Sequence, residues 1–125
     1  MRGFSTAEVV LSAFVLALGI MTLTTLFPAS TMAVKRGENR LTADALGQSA
    51  LEAVRAASFP ALAFYDTDLG NMTRSGTTFT RHQQVFRVYG TDPNHLKGVR
   101  VTIGWTERNS LQTWTQETWI CSIEK

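Results

Sequence analysis

One cysteine, two histidines and three prolines are all that 125 residues hold of the side chains that staple, ligate or break a chain. The lone Cys121 excludes a disulfide within this sequence, and its place in an alternating stretch reads as a small core residue. His82 and His95 lie in different segments without neighbouring ligand patterns, so no metal site is expected. Neither a glycine-rich phosphate loop nor a nucleophile motif is present, so no cofactor is expected and the chain reads as a non-enzyme. The most informative gap is in charge. Between Glu8 and Lys35 there is no Asp, Glu, Lys or Arg, and every charged residue other than Arg2 and Glu8 lies from Lys35 onward. The formal charge of +2 is scattered. Lys35, Arg36 and Arg40 come closest to a cluster, which reads as a solvated or headgroup-facing helix segment, and nucleic-acid binding is not expected.

What fills the uncharged gap is an apolar run from Val9 to Phe27. A bilayer's hydrocarbon core, roughly 30 Å thick, is crossed by about 20 helical residues. The run therefore predicts a transmembrane helix, and its Thr22, Thr24 and Thr25 are tolerable there because a hydroxyl can bond a carbonyl one turn back. Glu8 stands at the edge of this run, and a carboxylate so placed is either a group still touching headgroups or a functional one.

The residues in front of the run are Met1-Arg2-Gly3-Phe4-Ser5-Thr6-Ala7-Glu8. A short basic leader ending in Gly, then Phe, then a Glu five residues after the Gly and an unbroken apolar helix, resembles the N-terminus of type IV pilins and type II secretion pseudopilins. That resemblance implies a class III leader, residues 1–3, cut between Gly3 and Phe4 by a prepilin peptidase that then methylates the Phe4 amine. It implies that Glu8 is the filament-assembly glutamate, pairing with the Phe4 amine of a neighbouring subunit. A buried carboxylate without a partner is strongly disfavoured, so subunit addition that pairs it is favoured. The basic residues beyond the span favour by themselves the opposite membrane orientation. The cytoplasmic N-terminus is what the resemblance implies.

Beyond the span the helix is expected to continue, with Pro28 kinking or loosening it and Gly37 a second weak point. Ala43, Leu46, Ala50, Val54 and Ala57 recur at helical spacing, with Asp44, Gln48, Glu52 and Arg55 opposite. Unbroken from Phe4 to Ser58, such a helix would be about 80 Å long. Pro60 ends it. The expected organisation is a filament-core and transmembrane helix over 4–34, an amphipathic continuation over 35–58, and a β-rich head over 59–125 opening with a loop over 59–76. Phe59, Leu62, Phe64 and Tyr65 in that loop would cover one end of the core.

Three strands are expected in the head. Thr77 to Tyr89 is β-prone with imperfect alternation, suggesting a bulge or register shift. After a turn at Asp92-Pro93-Asn94, Lys97 to Thr106 puts Val99, Val101, Ile103 and Trp105 on one face. After a turn at Arg108-Asn109-Ser110, the strand from Leu111 to Ile123 would bury Leu111, Trp119, Cys121 and Ile123, leaving Trp114 exposed as a candidate subunit contact. The fold class is α+β: a long N-terminal helix, transmembrane in its first half, packed on a small antiparallel sheet.

Helix, loop and meander in that order are similar to the pilin fold over the whole chain. The resemblance is to small minor pilins of the PilV or pseudopilin-I kind. It implies a structural subunit that assembles into, primes or caps a filament. Its partners would be other pilin or pseudopilin subunits, the prepilin peptidase and an inner-membrane assembly platform. The subunit would sit in the bacterial inner membrane before assembly and in an extracytoplasmic filament afterwards. Three other readings stay open. Thr31-Met32-Ala33 could precede a secretory cleavage before Val34, the helix could be an uncleaved anchor for a binding module, or the subunit could serve DNA uptake.

Overall fold

The computed structural model describes residues 5–122. One helix, α1 (Thr6–Ala56), is followed by a 3₁₀ turn (Phe59–Ala61) and five strands: β1 (Asp66–Asp68), β2 (Met72–Arg74), β3 (Thr77–Arg87), β4 (Leu96–Glu107) and β5 (Ser110–Cys121). The architecture is α+β, a long helix packed on a small antiparallel sheet. Two compact units divide the chain, 1–38 and 39–125.

In the first unit the helix runs through Pro28 without interruption. The hydroxyls near it are turned back onto the helix. Thr22 donates to Leu18 O at 2.9 Å, Thr24 to Met21 O at 2.9 Å, and Thr31 to Pro28 O at 2.9 Å. Polar side chains folded in this way present little hydrogen-bonding capacity to an apolar surrounding.

In the second unit the sheet runs in the order β1-β3-β4-β5, with β2 also paired to β3 and all pairs antiparallel. Its inner face carries Phe79 and Val85 from β3 and Val99, Val101, Ile103 and Trp105 from β4, all buried. The expected alternation of β4 is present. Ala43, Leu46, Leu51 and Val54 of α1 complete the core, a leucine or valine side chain contributing about 1.5–3 kcal/mol when fully buried. Ala50 packs against this core half-buried, whereas Ala57 is exposed. Asn39 is buried on the same face and accepts a hydrogen bond from Thr77 Oγ1 at 3.1 Å.

The head departs from the sequence expectation in three places. The stretch 59–76 is not one loop. Ser75 and Gly76, both at positive φ, form a two-residue turn that pairs Arg74 with Thr77, and so makes a hairpin of β2 and β3. The irregularity expected in the β3 stretch lies on its neighbour instead. β3 pairs with β4 without a break from Phe79↔Trp105 to Arg87↔Lys97. Between β1 and β2, however, Leu69, Gly70 and Asn71 oppose only Thr80 and Arg81. Arg81 pins that bulge, donating from Nη2 to Leu69 O at 2.6 Å and from Nε to Gly70 O at 3.1 Å.

The third departure is the orientation of β5. The turn after β4 has two residues, Arg108 and Asn109, both at positive φ, and Ser110 already pairs with Glu107. Directly opposed residues share a face, so the even-numbered residues of β5 point inward. Leu111, Trp119 and Cys121, expected inside, are exposed, whereas Trp114 and Ile120 are half-buried against the core. Ile123 lies outside the described residues.

Candidate functional site

The candidate residues fall in two regions, the start of α1 and the surface of the sheet. At the helix start, Ser5 O accepts hydrogen bonds from Glu8 N at 3.0 Å and Val9 N at 3.2 Å, which opens the helix. Glu8 stands in the first turn with its side chain exposed, where the aligned peptide dipoles favour a negative charge. Ser12 donates its hydroxyl to Glu8 O at 2.8 Å. Gly3 and Phe4, the expected cleavage and methylation positions, lie outside the described residues.

From Ser5 to Val34 every residue is exposed, including Phe14, Leu16, Leu23 and Phe27. This helix is long and apolar enough to cross a membrane. Soluble surfaces rarely carry so long an apolar stretch uncovered.

In the head, Trp114 is not a freely exposed ring. It lies against Gly47 of α1, where even a β-carbon on residue 47 would overlap the indole. The pair lets helix and strand approach closely, and beside it Gln48 Nε2 donates to Gln116 Oε1 at 3.0 Å. The exposed tryptophan of β5 is Trp119, on the outer face across from Gly98, whose missing side chain makes room for the Phe86 ring. Arg100 stands over Phe86 at 5.2 Å and is paired through Nε to Glu117 Oε1 at 2.6 Å.

Lys97 was not among the residues expected to line the core. It is only 8% exposed, on the inner face of β4. Its ammonium donates to Leu62 O at 2.6 Å and Phe59 O at 3.0 Å, and sits 4.4 Å from the centre of the Phe59 ring. The cation thus ties the 3₁₀ turn to the sheet, satisfying carbonyls where the chain leaves the helix. Of the four apolar residues expected to cover this end, Leu62 is buried and Phe59 half-buried, while Phe64 and Tyr65 are exposed. One signal for Lys97 was available: it follows the same odd-numbered alternation as Val99 and Val101.

Among the described residues, no group of three or more His, Cys, Asp or Glu is placed to hold a metal ion. The arrangement comprises an apolar helical surface, a sheet edge and an outer face with an exposed tryptophan. The chain matches no protein-family model, no curated protein and no solved structure.

Proposed function

We propose that this chain is a minor pilin or pseudopilin, a structural subunit processed by a prepilin peptidase that assembles into, primes or caps a type IV pilus-like filament. The observation that carries the reading is the apolar helix. From residue 5 to residue 34 it is exposed throughout, and Glu8 is its only charged side chain. Lipid covers that surface before assembly, and the helices of other subunits cover it afterwards. In the second setting a lone carboxylate needs a cation, and the amine freed by cleavage after Gly3 supplies one at Phe4 of a neighbour. Before assembly the subunit spans the inner membrane with its N-terminus in the cytoplasm and its head outside.

The test is the mass of the N-terminal peptide from host membranes, with and without the prepilin peptidase. A methylated chain beginning at Phe4 only when the enzyme is present supports the reading. Glu8→Gln is then expected to be cut normally but to enter filaments at a small fraction of the wild-type level. Unchanged incorporation would refute the assembly role of Glu8. A second reading, a single-pass anchored or secreted binding module, draws on the exposed Trp119 and Leu111 of the head. A chain beginning at Met1 or Val34 would favour it and end the filament reading.

A further inference from the structure

We propose that residues 58–65 form a strap that opens and closes over one end of the inner face while the sheet stays folded, with Lys97 as its latch. The strap lies between α1 and β1, and its backbone hydrogen bonds are largely its own. Ala61 N donates to Ser58 O at 3.0 Å, Leu62 N to Phe59 O at 3.2 Å, Ala63 N to Ala61 O at 3.1 Å and Tyr65 N to Ala63 O at 3.0 Å. Among the described residues, its backbone first meets a strand at Tyr65, whose O accepts from Val85 N at 3.1 Å. A segment bonded in this way can move as a piece, because none of its internal bonds has to break.

Side chains hold the strap down. Leu62, 6% exposed, enters the core, and Lys97 reaches from β4 to Phe59 O and Leu62 O with its ammonium against the Phe59 ring. Lys97 is paired directly across the sheet with Arg87 of β3. Like charges so opposed repel each other, and the closed strap answers both of them. Phe64 presents its ring to each, with its centre 5.3 Å from the Lys97 ammonium and 5.3 Å from the Arg87 guanidinium.

Release of this latch strands no charge. An ammonium that loses two carbonyls to an opening strap gains water in their place, whereas an apolar side chain there would only lose contacts. Phe64 and Tyr65 are already exposed when the strap is closed, so opening uncovers little apolar surface beyond Leu62 and the core beneath it. Opening thus exposes far less surface than unfolding of the sheet, and every group it involves lies in the unit 39–125.

The measurement is native-state proteolysis of the full chain in detergent micelles by chymotrypsin, with the cut after Phe64 followed by mass. When opening is fast relative to cleavage, the rate reports the population of the open form. In the unaltered chain the logarithm of that rate, corrected for the protease's own activity on a free peptide, should rise with urea. Its slope should be less than about half that of full unfolding followed by tryptophan fluorescence, since the slope scales with the surface exposed. Lys97→Met should speed the cut about tenfold or more with the slope unchanged. Phe59→Ala, which removes a ring but neither carbonyl, should speed it about threefold. Cutting only through full unfolding, seen as equal slopes, would overturn the strap, and that comparison needs no variant to fold. An unchanged rate in a folded Lys97→Met chain would overturn the latch.

Discussion

At the scale of single residues, the turns of the head show how local chemistry sets wider geometry. Arg108 and Asn109 both occupy the left-handed region, with φ of 49° and 62°. Asparagine tolerates that conformation better than most residues, but glycine adopts it without steric penalty. Asn109→Gly is therefore expected to stabilise the head by about 0.5 kcal/mol, read as a raised urea midpoint at unchanged slope. The other turn, between β3 and β4, is tied by Asp92, whose Oδ1 accepts from Asn94 N at 2.9 Å. That hydrogen bond, aided by His95 close by, holds the Asp92 carboxyl below its ordinary value of 3.8. Because the folded pKa is the lower one, the contribution of Asp92 is present above pH 3.8 and is lost as pH falls through the lowered value. A carbon-detected NMR titration should place its midpoint below 3.8, and Asn94→Pro, which removes the donor, should move it upward.

At the scale of elements, the contact between α1 and β5 depends on one missing side chain. Gly47 admits the Trp114 ring at a distance that any larger residue would close. Glycine inside a helix costs up to about 1 kcal/mol relative to alanine, so a close contact is the physical reason to keep one there. Gly47→Val should destabilise the head by about 1–3 kcal/mol through overpacking. Pairing it with Trp114→Leu should recover part of that loss, giving a coupling energy between the two sites in a double-mutant cycle. Additivity of the two substitutions would show that helix and strand do not meet through this pair. The β-sheet offers a parallel lesson, since Gly98 lies under Phe86 in the same way that Gly47 lies under Trp114.

At the scale of the whole molecule, the two compact units differ in what they bury. Unit 39–125 has its own core from Ala43 to Trp105, whereas residues 5–34 bury nothing within the chain. A helix in hydrocarbon keeps its backbone hydrogen bonds because no water competes for them. In detergent micelles, urea should therefore remove the tryptophan fluorescence change of the head in one cooperative step, while helical circular dichroism from the first unit persists. Loss of all helical signal in that same step would show that the units do not unfold independently. A head so small is also marginal in the surface it can bury, which places weight on each contact between helix and sheet.

The sequence by itself determined the elements whose signal is local. The uncharged run after Glu8, the stripe from Ala43 to Val54 and the alternation from Val99 to Trp105 each repeat one chemical preference often enough to name a helix or a strand. Only the tertiary structure decided which face of β5 is buried. Reading the turn as Arg108-Asn109-Ser110 adds one residue to it, and with a side-chain period of two that single residue exchanges the two faces. Leu111 and Trp119 look as apolar as Trp114 and Ile120, so composition could not choose between the two registers. The choice came from pairing Ser110 with Glu107 and from the space at Gly47, both of them relations between segments. The short strands β1 and β2 escaped the sequence reading for the same reason. Three residues carry too little periodicity to announce a strand, and it is the neighbouring β3 that makes them one.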